Sequence, residues 1–155
     1  MIKRIGFTVV AVLAFSLAAQ AADMDSGTWV LNFAKSTSSN GLPRSSTQVI
    51  SMDGGWMIFK GNGVDKDGKT GSFSSISKID GVARPSLVHG PDAMLVTSTR
   101  SDDFHRKTVS IAITGKARVT QVSVISPDGK VRTRTNTGVD KDGKPFNNVA
   151  VFDKQ

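Results

Sequence analysis

The chain has 155 residues and a formal net charge of +7, a length that suits one domain and leaves little room for a second. All 13 acids are Asp, and Glu, Tyr and Cys are absent. Without cysteine the chain holds no disulfide, thiol nucleophile, Cys-ligated zinc or iron–sulfur cluster, and without Glu it lacks a strong helix former.

The first segment reads as an address. Lys3 and Arg4 are followed by an apolar run from Ile5 to about Ala18, then by Ala19-Gln20-Ala21. A basic start, a short apolar stretch and small residues at −3 and −1 predict a secretory signal peptide over 1–21, cleaved after Ala21. The run is shorter than the roughly 20 apolar residues of a membrane span, so no stable membrane anchor is expected. Residues 22–155 are then expected to form a single periplasmic or secreted domain.

Beyond the leader the chain reads as a string of hairpins. Asp-Gly recurs at 53–54, 67–68, 80–81, 128–129 and 142–143, and Gly accepts positive φ where a hairpin loop needs it. Between these pairs lie alternating runs rich in Val, Ile, Thr and Ser. They predict strands over 27–33, 46–52, 56–62, 70–78, 82–88, 94–100, 104–114, 117–126, 131–138 and 147–153. Only Ala34–Leu42 could hold a short turn of helix. The fold class predicted is all-β, an antiparallel up-and-down meander of about 8–10 strands closed into a barrel, which removes exposed edges.

Gly63-Val64-Asp65-Lys66-Asp67-Gly68-Lys69 recurs identically at 138–144. Asp-x-Asp-Gly suggests a calcium loop, but that loop ends in a bidentate Glu and this chain has none, so the pair is expected to be hairpin loops. Several strands are polar on both faces: Ser72, Ser74 and Ser75 crowd one, and Arg132, Arg134 and Asn136 alternate with Thr on another. A sandwich core needs a clean apolar face, whereas a barrel with a wet cavity accommodates polar inward positions. The apolar candidates include Trp29, Leu31, Val49, Phe59, Leu95, Ile111, Ile113, Val122 and Val151, of mixed parity, so the inward face is left open.

Gly27-Thr28-Trp29, opening the first predicted strand, resembles the Gly-x-Trp start of the calycin barrels, the lipocalins and fatty-acid-binding proteins. The opening Gly-Thr-Trp-x-Leu-Asn and the closing Asn147-Asn148-Val149-x-Val151-x-Asp153-Lys154-Gln155 also resemble a group of exported bacterial proteins. The calycin resemblance implies that Trp29, with Gly27, plugs one barrel end against an Arg from a late strand, for which Arg132 and Arg134 are the candidates. It departs from the fatty-acid-binding pattern in two places: residues 34–46 are too short for a helical lid, and an Arg-x-Tyr clamp is impossible without Tyr.

Candidates for chemistry are few. His89, near Asp92, and His105, after Asp102 and Asp103, offer the only imidazoles. A neighbouring carboxylate could orient either ring for acid–base work, but their spacing carries no metal motif, and a lone loop histidine is more often a solvated side chain. No nucleophile elbow, dinucleotide fingerprint or P-loop occurs, so no metal or cofactor is expected. Arg100, Arg106, Lys107, Lys116, Arg118, Arg132 and Arg134 gather in the second half, either as an anion site or as a solvated basic flank. Nucleic acid is not expected, because aromatics do not interleave with these charges.

These features converge on a non-enzymatic binding barrel for a small hydrophobic or amphipathic ligand, lipid-like and anionic ones included. Trp56 and Phe59 would line its cavity, and Arg132 and Arg134 would hold the plug or a ligand head group. Two alternatives stand beside it. One is an enzyme on the same scaffold using His89 or His105 with a nearby Asp; the other is a partner-binding or inhibitory module that works through its outer face.

Overall fold

The Asp-Gly pairs sit where the chain reverses. The computed structural model describes residues 23–86, 93–114 and 116–155, so the expected signal peptide over 1–21, His89 and Asp92 lie outside the described residues. The reversals separate eleven strands: β1 (Gly27–Leu31), β2 (Thr37–Ser38), β3 (Ser45–Asp53), β4 (Trp56–Val64), β5 (Thr70–Lys78), β6 (Arg84–Ser86), β7 (Met94–Arg100), β8 (His105–Ala112), β9 (Arg118–Ile125), β10 (Val131–Val139) and β11 (Pro145–Lys154). The sheet runs β5-β4-β3-β1-β11-β10-β9-β8-β7-β6, antiparallel throughout, with the two-residue β2 added beside β11. The chain is therefore an all-β meander of ten main strands. The first and last strands pair to close most of the wall, and a seam remains between β5 and β6.

The seam is bridged by a single parallel contact between Ile79 and Ser98. Pro85, which has no N–H to donate, lies on the short edge strand β6, the position where a sheet tolerates proline. The run expected over 82–88 is thus a strand only at Arg84–Ser86, with residues 87 and 88 outside the described residues. Among the described residues no helix is long and apolar enough to cross a membrane.

The helical turn expected within Ala34–Leu42 lies at Phe33–Lys35, a single turn of 3-10 helix capped by the Asn32 side chain, which accepts from the Lys35 N–H at 3.1 Å. Ser36 then bridges β1 and β11 by donating to the Asn32 carbonyl at 2.7 Å and accepting from the Val151 N–H at 2.9 Å.

The two identical heptapeptides form the same loop twice. Asp65 accepts from the N–H groups of Asp67 and Lys69, both at 2.9 Å, and Asp140 accepts from those of Asp142 and Lys144 at the same distance. Gly68 and Gly143 carry φ of 90° and 82°, open only to glycine without strain. The first glycine of each copy is equally constrained: a Cβ at Gly63 would run into the Ser45 carbonyl, and one at Gly138 into the Arg118 carbonyl. Both carboxylates are committed to their own loop amides, as a hairpin loop requires.

Register settles the inward face. Gln48 and Ile50 of β3, Met57 and Phe59 of β4, Arg106 and Ala112 of β8, Ser123 and Ile125 of β9, Arg132 of β10, and Ala150 and Phe152 of β11 are all buried. Val49, Leu95, Ile111, Ile113 and Val122 are exposed, so these apolar candidates lie on the outside. The apolar core gathers at one end, around Trp29, Ile50, Met57, Phe59, Ile125, Ala150 and Phe152.

Candidate functional site

The interior is layered along the barrel axis, and the ladders define the layers. Trp29 is fully buried at the closed end, its Nε1 donating to the Asp25 carbonyl at 2.9 Å. The Arg132 guanidinium lies 5.1 Å from the Trp29 ring and 4.8 Å from the Phe152 ring, and it donates to the Gln48 side-chain oxygen. Stacking a desolvated guanidinium on aromatic faces contributes about 2 kcal/mol, which partly offsets the burial of an unneutralised charge.

One register step toward the other end lies a row running Ala150, Arg134, Ser123, Arg106, Arg100 across β11, β10, β9, β8 and β7. The small side chains of Ala150 and Ser123 leave room for the guanidiniums beside them. The residues before β1 fold against this row. Asp25, 2% exposed, accepts from Arg106 at 2.7 Å and Arg100 at 3.0 Å, and Asp23 takes Arg100 through two bonds at 2.6 and 3.0 Å. Burial pushes the Asp23 carboxyl up, but the Arg100 hydrogen bonds and charge outweigh it and hold it below its ordinary value. Arg106 is pulled down, chiefly by burial.

Arg100 and Arg106 are thus matched by Asp23 and Asp25, while among the described residues Arg132 and Arg134 form no ion pair. Arg134 stacks over Phe152 at 5.2 Å, and its Nε is buried without a hydrogen-bond partner. Burial and the nearby Arg106 charge pull it down to about 10, so it remains a cation at neutral pH. Arg132 is pulled down to about 9, by burial first and by Arg134 and Arg106 next.

Above the arginine row is a tier of amides and hydroxyls, running Asn148, Asn136, Gln121, Thr108, Ser98, with Ser98 and Thr108 joined at 3.0 Å. These two rows enclose an interior cavity of about 180 Å³. Its apolar wall is Met57, Phe59, Phe73 and Val96, and its polar wall includes Arg106, Arg134, Gln121, Thr108, Ser75 and Ser77. Phe59 and Phe73 pack with their centroids 5.1 Å apart. Arg134 and Phe73 also border a second, wider cleft of about 450 Å³ at the mouth, between the ends of β3, β4 and β5. Arg134 therefore stands between the two spaces.

The structure distributes the candidate residues unevenly. Phe59 and Arg134 line the interior cavity, and Arg132 stacks on Trp29 below it. Trp56 does not join them. It has the parity of Ile58 and Lys60, opposite to Met57 and Phe59, so it faces outward, 41% exposed with Lys78 5.7 Å over its ring, in a separate pocket of about 110 Å³. His105 likewise faces out from the β7–β8 turn. Its Nδ1 lies 2.8 Å from an Asp102 carboxylate that also accepts from the backbone N–H groups of Phe104 and His105. That carboxylate closes a turn, and neither residue lines the interior cavity; Asp103 beside it is exposed. Asp25, Gln121 and Thr108 were not singled out as site residues from sequence, and Arg106 entered only within the basic cluster of the second half. The only available signal was parity: once Trp29 and Arg132 face inward, register carries the inward face to Ser123 and Arg106.

Compared with described protein families and with curated proteins, the chain matches none of them.

Proposed function

We propose that this protein is an exported binding barrel for a small amphipathic anion. The anionic group would be held by Arg134, and the apolar part would lie along Met57, Phe59 and Phe73 toward the mouth. One observation carries the reading: Arg134, whose Nε is buried without a hydrogen-bond partner, has no carboxylate within ion-pair distance among the described residues and borders both the interior cavity and the mouth cleft. The plug is held by Arg132, and the segment before β1 is held by Arg100 and Arg106.

Volume narrows the ligand. The inner cavity is below the roughly 300–1,000 Å³ of ordinary ligand pockets, so a bound molecule would extend into the mouth cleft rather than lie fully enclosed. The hydroxyls and Gln121 on the polar wall favour a compact head group over a long buried chain. The test is displacement of a fluorescent anionic probe, 1-anilinonaphthalene-8-sulfonate, by decanoate and by the uncharged decanol. A carboxylate held by a guanidinium gains about 1.5–3 kcal/mol, so decanoate should displace the probe at least about tenfold more strongly than decanol. No displaceable probe binding, or equal potency of the two competitors, would overturn the reading.

A further inference from the structure

We propose that the outer face of β7, β8 and β9 docks on an anionic lipid surface. Leu95, Ile111, Ile113 and Val122 are exposed there by 38%, 41%, 52% and 39%. The ladders make them neighbours of cations: Leu95 lies opposite Ile111, Ile111 opposite Arg118, and Val122 opposite Lys107. Ile113 extends the row, its N–H bonded to the Ala93 carbonyl at 3.0 Å, and Lys116 follows it. Lys107, Lys116 and Arg118 are all exposed, and residues 104–127 contain no acid.

The sign of the charge selects the partner. Several basic residues elsewhere on the surface have acids beside them, as Lys78 and Arg84 have Asp80, and Lys66 and Lys141 have Asp67 and Asp142 in the two heptapeptide loops. This face sets aliphatic side chains beside the hydroxyls of Thr97, Thr99 and Thr120, and the charges on its three strands are all positive. A second copy of the chain meeting it across a two-fold axis would set lysine and arginine against themselves. A protein partner would call for aromatic anchors or a pocket, and this face offers neither among its exposed residues. A lipid surface needs only aliphatic groups to enter the interfacial layer and cations to meet the head groups. The inner faces of β7 and β8 contribute Val96 and Ser110 to the interior cavity, so the docking face is the outer side of the cavity's own wall.

The experiment is co-sedimentation of residues 22–155 with vesicles of phosphatidylcholine alone or mixed with phosphatidylglycerol. Binding should be at least about fivefold stronger on the mixed vesicles and should fall at high salt, where exposed charges are screened. Lys107→Ser with Arg118→Ser, and separately Ile111→Ser with Ile113→Ser, should each reduce binding about tenfold without lowering Tm. Arg134→Met should leave vesicle binding unchanged, which separates this inference from the cavity reading. Equal binding to both vesicle types, no binding to either, or a lipid-free dimer abolished by the Ile111 and Ile113 changes would overturn it.

Discussion

Replacing Arg134 by Met separates a ligand-binding role from a structural one. Methionine keeps the length and apolar stem of the side chain but removes its charge. In the folded protein, burial and the Arg106 charge pull the guanidinium down from its ordinary value to about 10. At about 1.4 kcal/mol per tenfold change in proton affinity, keeping it charged costs the fold about 3 kcal/mol. Stacking on Phe152 at 5.2 Å returns about 1–2 kcal/mol of that. Arg134→Met should therefore leave stability unchanged or raise it by up to about 2 kcal/mol, with Tm up to roughly 10 °C higher. In the same variant, decanoate affinity should fall between about tenfold and a hundredfold, since a charge-assisted hydrogen bond is lost. Urea unfolding and calorimetric titration give the two numbers. A variant destabilised by more than about 1 kcal/mol that still binds decanoate normally would refute the reasoning, because Arg134 would then be a support for the fold.

Other perturbations test the neighbouring layers. Asp25→Asn leaves Arg106 buried without its carboxylate and should cost about 3–5 kcal/mol in urea unfolding, while Asp23→Asn, on a more exposed pair, should cost about 1 kcal/mol or less. Gly138→Ala drives a Cβ into the Arg118 carbonyl and should cost about 2 kcal/mol, whereas Gly71→Ala, with open space around it, should be near neutral by the same measurement. Decanoate affinity should be flat through neutral pH and fall as pH rises past about 10, because the anion needs the protonated guanidinium and Arg134 releases its proton there. An affinity that instead falls between pH 5 and 7 would point to a histidine in place of Arg134.

The hairpin plan was legible because its signals are local. An Asp-Gly pair closes a turn through its own carboxylate and glycine whatever surrounds it, as the two heptapeptide loops show. The place of Trp29 came from the resemblance of Gly27-Thr28-Trp29 to the calycin opening rather than from a local signal, and the structure buries its ring completely. The strand expected from Val82 begins only at Arg84, because the turn at Asp80-Gly81, with Gly81 at φ 76°, occupies the residues just before it. Trp56 was read as a cavity residue from its size. Its parity relative to Phe59 places it outside, and size carries no parity.

Sequence by itself determined the all-β class, the positions of the reversals and the clustering of arginines in the second half. Each of these depends on a few neighbouring residues. Only the tertiary structure decided which face points inward, because β8 turns Arg106, Thr108 and Ser110 inward and leaves Val109 and Ile111 on the outer side with His105 and Lys107. An ordinary core would reverse that choice. Here the pairing of Arg132 with Trp29 sets the parity of β10, and one-residue-exact registers carry it through Ser123 to Arg106. The same registers separate Arg132 from Arg134, two residues of one type on one strand face. One reaches the closed end and stacks on the indole; the other stands one layer nearer the mouth, where no acid meets it.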